Sequence, residues 1–244
     1  MSVGRKAFAE FLGTALLLAT VIGSGIAAQT LSPNDVGLQL LENALVTGAA
    51  LVALILALGP VSAAFNPVVT LAERLLGAIT TREAGTYIGA QLAGGFIGAV
   101  VANLMFELPA VNIADHQRAS GGLWLGEVVA TFGLLLVIFG VVRSGRKSHV
   151  AFAVGGYITA AYWFTSSTSF ANPAAAFARM FSDTFAGISP SSVPAFIVAQ
   201  LVGGGLAVAA VRILYPTASQ LAANLTRLDS LPAVTLSTDK ELHR

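Results

Sequence analysis

Apolar runs long enough to cross a bilayer, which takes about 20 residues each, cover Ala7–Ala28, Asn43–Phe65, Gly85–Phe106, Gly122–Val142, His149–Thr165 and Val193–Tyr215. The pattern predicts six transmembrane helices. Two further segments, about Asn66–Ala78 and Asn172–Phe185, are too short to cross alone and lie between spans. Each opens on Asn-Pro, and Asn is a favoured helix N-cap while Pro suits the first helical turn. They read as re-entrant half-helices.

The polar residues left inside the apolar runs repeat in order. The first half, about residues 6–106, carries Glu10, then Asn66-Pro67-Val68, then Gln91; the second, about residues 122–215, carries Glu127, then Asn172-Pro173-Ala174, then Gln200. The interval from Asn to Gln is nearly the same in both halves, and the extra length of the first half falls in the polar stretch Gln29–Glu42. Loops vary while spans do not, as expected of a duplicated unit whose element lengths the membrane fixes. One duplicated membrane domain is thus expected over residues 1–216, with a polar cytoplasmic tail over 217–244.

Composition agrees with a life in the bilayer. The 244-residue chain is 55% hydrophobic and only 10% charged, where a soluble domain carries roughly a quarter charged residues. A net charge of +1 speaks against a nucleic-acid partner, and the lack of cysteine excludes disulfides and thiolate metal sites. Arg5-Lys6, Arg82 and the Arg143–Lys147 connection fall on one side of the predicted spans, whereas the opposite loops hold Asp35, Glu42, Glu107, Asp115 and a single Arg118. The excess of Lys and Arg predicts both termini in the cytoplasm. His116, His149 and His243 are scattered over a loop, a span end and the tail, so neither a metal site nor a cofactor is expected.

Backbone that leaves the helix at membrane depth must be packed in protein or line a water-filled path. A paired break therefore implies a path. Two half-helix N-termini would meet near the midplane, each with about half a positive charge from its aligned peptide dipoles and each with an Asn amide to donate. Cations are repelled there, and a neutral hydroxylated solute can exchange its water hydrogen bonds for amides and loop carbonyls. Glu10 and Glu127 are costly groups for such a setting. They fit either a proton relay or a bracing role, accepting N–H bonds from the non-helical loop before each half-helix, with Gln91 and Gln200 bracing alongside. The glycines at 85, 89, 94 and 98 and the run Gly203–Gly205 read as helix-packing positions.

These residues, Ala9–Thr14, Phe65–Thr70, Ala171–Ala174 and the two glutamines, resemble those of the aquaporin and aquaglyceroporin family, the major intrinsic proteins, over about Lys6–Tyr215. The resemblance implies an all-α fold of six tilted helices and two half-helices in an inverted repeat, one pore per subunit, and a homotetramer in lipid. In that family an arginine commonly follows the second Asn-Pro-Ala and lines the outer constriction. Here that position is Ala175, and the next arginine, Arg179, lies a helical turn further on, where it is not expected to act at the same height. The span-2 member of the constriction falls at Thr47, with Val46 as the neighbouring register. The span-5 member is expected within Thr159–Ala161, with Thr159 and Ala160 foremost, and the loop member at Ser169 beside Phe170.

Small residues at these places imply a wide, weakly cationic filter. The expected function is a passive inner-membrane channel of a bacterium, open to small uncharged solutes such as glycerol, urea or arsenous acid, and to water; no enzymatic constellation converges. Two rivals remain: a water-selective channel, and an ion-coupled secondary transporter, in which inverted repeats and broken helices also occur.

Overall fold

The computed structural model describes residues 1–215; the expected polar tail lies outside the described residues. Among the described residues eight α-helices follow in the order α1 (Val3–Leu31), α2 (Val36–Leu58), α3 (Pro67–Leu75), α4 (Thr81–Met105), α5 (Gly121–Arg143), α6 (Val150–Phe164), α7 (Pro173–Arg179) and α8 (Val193–Leu214). Most begin where a side-chain oxygen meets an unpaired helix N–H. Ser2, Asp35 and Ser120 cap α1, α2 and α5, and Thr80 with Glu83 closes a capping box on α4.

The duplication expected from the sequence is physical. The series α1, α2, α3, α4 is answered by α5, α6, α7, α8, with α1 packed on α4 as α5 is on α8, and with α2 against α6 across the two halves. Glycines permit the close crossings: a Cβ at Gly94 would run into the Phe11 carbonyl, and one at its counterpart Gly203 into the Val128 carbonyl. Gly98 and Gly204 are likewise packed, whereas Gly85, Gly89 and Gly205 face open space. Gly48 and Gly155, which the sequence pattern did not single out, bring the backbones of α2 and α6 together.

Among the described residues five helices, α1, α2, α4, α5 and α8, are long and apolar enough to cross a membrane. The fifth expected span is shorter than its sequence suggests: α6 has 15 residues, about 23 Å at the helical rise. A short 3₁₀ turn, Lys147–His149, leads into it. The half-helices are also shorter than expected, since α3 ends at Leu75 and α7 at Arg179, each followed by non-helical chain.

Candidate functional site

The half-helices meet in the middle of the molecule through their caps. Asn66 Oδ1 accepts from Val68 N (3.0 Å), and Asn172 Oδ1 accepts from Ala174 N (2.9 Å) and Ala175 N (3.3 Å). Each Asn also crosses to the other half: Asn66 Nδ2 donates to Ala171 O and Asn172 Nδ2 to Phe65 O, both at 2.8 Å. An amide nitrogen carries two hydrogens, so one remains on each Asn. Both residues line the cavity described below. The preceding residues, Phe65 (φ 48°) and Ala171 (φ 47°), adopt left-handed backbone, a strained state for a residue with a Cβ.

Buried carboxylates hold that strained backbone. Glu10 accepts from Ser62 Oγ and Ala64 N on one oxygen, and from Phe65 N (2.7 Å) and Gln91 Nε2 (2.8 Å) on the other. Glu127 accepts from Phe170 N and Ala171 N, both at 2.9 Å, and from Gln200 Nε2 at 2.6 Å. Gln91 reaches further, donating to Thr70 Oγ1 of α3. All four of these side chains are fully buried.

A cavity of about 730 Å³ runs along these groups. One mouth is walled by Lys6, Glu73, Tyr87, Lys147 and Ser148, the middle by Asn66 and Asn172, and the far end by Thr47, Tyr162, Ser169, Ala175 and Arg179. A second cavity of about 550 Å³ continues beyond, walled by Gln29, Gln39, Asn43, Asp115, His116, Arg118 and Asp183, and Arg179 lines both. Arg179 therefore stands at the neck between them.

The chain from Phe106 to Ser120 builds the second cavity by docking on the segment between α7 and α8. Asn112 N and Ala114 N donate to Phe181 O and Met180 O, and Arg118 Nε donates to Gly187 O at 3.0 Å. Burial lowers the Arg118 guanidinium below its ordinary pKa; burial first, and then the nearby Arg118 charge, lower the His116 imidazole.

The structure brings together most, not all, of the residues expected at the constriction. Thr47 lies in the wall with its hydroxyl 3.2 Å from that of Tyr162, while Val46 is exposed. Ser169 and Ala175 also line the wall, and the Ser169 Oγ has no hydrogen-bond partner. Thr159 and Ala160 do not line it. The Thr159 hydroxyl donates to Gly155 O at 2.9 Å and packs at the crossing with α2, and Ala160 is exposed. The face of α6 on the cavity is Val150, Val154, Ile158 and Tyr162, spaced by four, with Ala151 beside the first of them, which keeps one stripe of a helix inward; Thr159 and Ala160 are turned about 100° and 200° away from Ile158 by the helical twist. The sequence reading also missed Arg179 as a wall residue. Arg179 is nevertheless one helical turn from Ala175, the spacing that puts two side chains on one face.

A largely apolar route with a line of amide and hydroxyl groups along it, running through a bundle of apolar helices with paired half-helices capped at its middle, defines a membrane channel. Comparison with known proteins agrees: residues 1–165 match the family model of the major intrinsic proteins, and the chain belongs to that family. It is 48% identical over 211 residues to "Aquaglyceroporin AqpS" of Rhizobium meliloti (strain 1021), covering 86% of this chain and 90% of that protein. It is 32% identical over 186 residues to human "Aquaporin-5", covering 71% and 68% respectively. In fold it is similar to the aquaglyceroporin from Plasmodium falciparum, with a TM-score of 0.69 at 21% identity over 88% of this chain and 98% of that one. The protein is a channel and not an enzyme.

Proposed function

We propose that this protein is a passive channel for small, uncharged, hydroxyl-bearing solutes and for water in a bacterial inner membrane, with both termini cytoplasmic. The observation that carries the reading is the line of groups from the Lys6 and Lys147 mouth, past the Asn66 and Asn172 amides, to the neck at Thr47, Tyr162, Ser169 and Arg179. Amide and hydroxyl groups along an apolar wall replace the hydrogen bonds a neutral solute leaves in water, while two half-helix N-termini at the middle disfavour cations. The aquaglyceroporin likeness makes glycerol the first candidate; urea and arsenous acid are further candidates on size and neutrality. Four subunits, each with its own pore, form the assembly in lipid.

The two carboxylates that a proton relay would use, Glu10 and Glu127, support a channel over an ion-coupled transporter. A coupling ion needs a carboxylate free to bind and release it, and Glu10 and Glu127 are occupied by loop N–H groups and glutamine amides. Stopped-flow light scattering on proteoliposomes tests the reading. Rapid shrinkage in an impermeant osmolyte and rapid re-swelling with glycerol, both unchanged when ionophores collapse proton and sodium gradients, are expected. Flux that follows either gradient refutes it, and shrinkage without re-swelling by any neutral solute assigns a water channel instead.

A further inference from the structure

A guanidinium in the middle of a membrane protein needs an explanation. Arg179 is only 3% exposed, and burying a charge costs several kcal/mol unless it is paired or wetted. Among the described residues the one ion pair within 4 Å joins Lys6 to Glu83, far along the chain from Arg179. Arg179 is held instead by Nε, which donates to Ala186 O, and by the face of Phe170, whose ring centre lies 3.4 Å from the guanidinium carbon. Those two contacts fix the plane of the guanidinium. They also leave its terminal Nη groups with no hydrogen bond to the described protein. Since Arg179 lines both cavities, those donors face the route at its neck.

A second orphan lies in the same wall. Ser169 is 3% exposed, lines the first cavity, and its hydroxyl has no partner. A buried hydroxyl left unpaired costs about 1–3 kcal/mol, and a passing solute or water would meet that need. The neck thus presents a fixed cation with unused donors beside a hydroxyl that can donate or accept, with the Thr47 and Tyr162 hydroxyls in the same wall. The carboxylates around the second cavity, Asp115 and Asp183, stand on the outer side and make no ion pair with Arg179.

We propose that Arg179 is the specificity-determining residue of the neck: its stacked guanidinium, with the Ser169 hydroxyl, takes the oxygens of neutral hydroxylated solutes and turns cations back. The neck is then cationic although Ala175 offers no charge, which departs from the weakly cationic filter expected from the sequence. The inference rests on the channel reading above and adds to it the group that sets charge selectivity.

The test uses the full chain in proteoliposomes, as wild type, Arg179→Gln, Arg179→Lys and the double variant Ala175→Arg/Arg179→Gln. Glycerol and water permeabilities and a K⁺ leak are read on each, and folding is checked by size-exclusion profile. Arg179→Gln is expected to raise the K⁺ leak by about tenfold or more, since a unit charge a few ångströms away, at an effective dielectric near 20, is worth more than the roughly 1.4 kcal/mol that tenfold takes, and to change the glycerol-to-water ratio. The double variant, which returns a guanidinium one turn earlier, is expected to suppress the leak again. If Arg179→Gln does not fold, Arg179→Lys is expected to keep K⁺ out, because charge remains, while changing the ratio, because the planar stacked donor is gone. Folded Arg179→Gln with wild-type ratio and no leak overturns the proposal, as does Arg179→Lys with a leak or an unchanged ratio, or a K⁺ leak in the wild type. A wild type that passes neither glycerol nor water refutes the channel reading itself, which separates the two failures.

Discussion

The two halves of the molecule agree where they hold the chain and differ where they meet the solute. Asn66 and Asn172 have backbone angles of −157°, 116° and −156°, 112°, and the residue before each is left-handed to within a degree of the other. A carboxylate, a glutamine and a packing glycine recur around both. Beyond the caps the likeness ends. α3 leads into a mouth with Glu73, Lys6 and Tyr87, whereas α7 carries Ala175 and Arg179 into a neck covered by the docked Phe106–Ser120 segment. The duplicated unit is thus the scaffold and sets the shared midplane caps, while the two ends of the route differ in the side chains they offer a solute.

The comparison is broken hardest by removing a brace. Glu127→Ala strands the Phe170 and Ala171 N–H groups and the Gln200 amide, at about 1–3 kcal/mol for each buried donor. Glu10→Ala strands a matching set. Both variants are expected to lose most of the assembled protein, measured by yield of monodisperse material after detergent extraction. A loss confined to one half would mean that the two braces are not equivalent.

Next in size are the glycine crossings. Gly94→Val and Gly203→Val each push a side chain into a backbone carbonyl of the partner helix, an overpacking expected to cost about 1–3 kcal/mol and to lower the thermal transition by similar amounts in the two variants. Gly89→Val, at an open position, is the contrast and is expected to change that transition little.

The caps sharpen the comparison further. Asn66→Asp and Asn172→Asp each replace an amide donor to the opposite loop by a carboxylate at the midplane, and both are expected to admit cations in a K⁺ leak assay. Unchanged leak and solute flux would place the asparagines off the route. A smaller effect separates neighbours on α6: Tyr162→Phe, which removes a hydroxyl from the neck, is expected to change the glycerol-to-water ratio, and Thr159→Val, at the α2 crossing, is expected to leave it alone. The smallest concerns pH. Burial, and then the Arg118 charge, lower the His116 pKa from its ordinary value, which favours the uncharged imidazole at neutral pH and above. Water flux measured between neutral and mildly alkaline pH is expected to stay level as far as the second cavity governs it, and a step in that interval abolished by His116→Asn would contradict this.

Polar residues in an apolar run are conspicuous, which is why Glu10, Glu127, Gln91, Gln200 and both Asn-Pro caps could be read from the sequence together with the repeat they mark. The neck was legible only in part. Thr47 and Ser169 follow from the family resemblance, placed by their distance from the Asn-Pro caps, but the α6 wall is Val150, Ala151, Val154 and Ile158 until its last turn, so nothing polar announced Tyr162. The shortness of α6 and the 3₁₀ turn before it removed the fixed length on which counting relies. Arg179 was set aside on helical register alone. Its length, its stacking on Phe170 and the end of α7 at that very residue bring it to the route. The close crossing at Gly48 and Gly155 depends on where two distant helices touch, which local pattern does not record.

The account places the size limit at the second-half neck and the shared hydrogen bonding at the midplane. The measurement that bears on it most directly is the glycerol-to-water permeability ratio of Ala175→Arg in proteoliposomes of verified fold, set against wild type. A second long side chain on the face of α7 that carries Arg179 is predicted to cut glycerol flux severely while sparing water more, so the ratio falls. An equal loss of both permeabilities, or no loss of either, would mean that the narrowest point lies elsewhere.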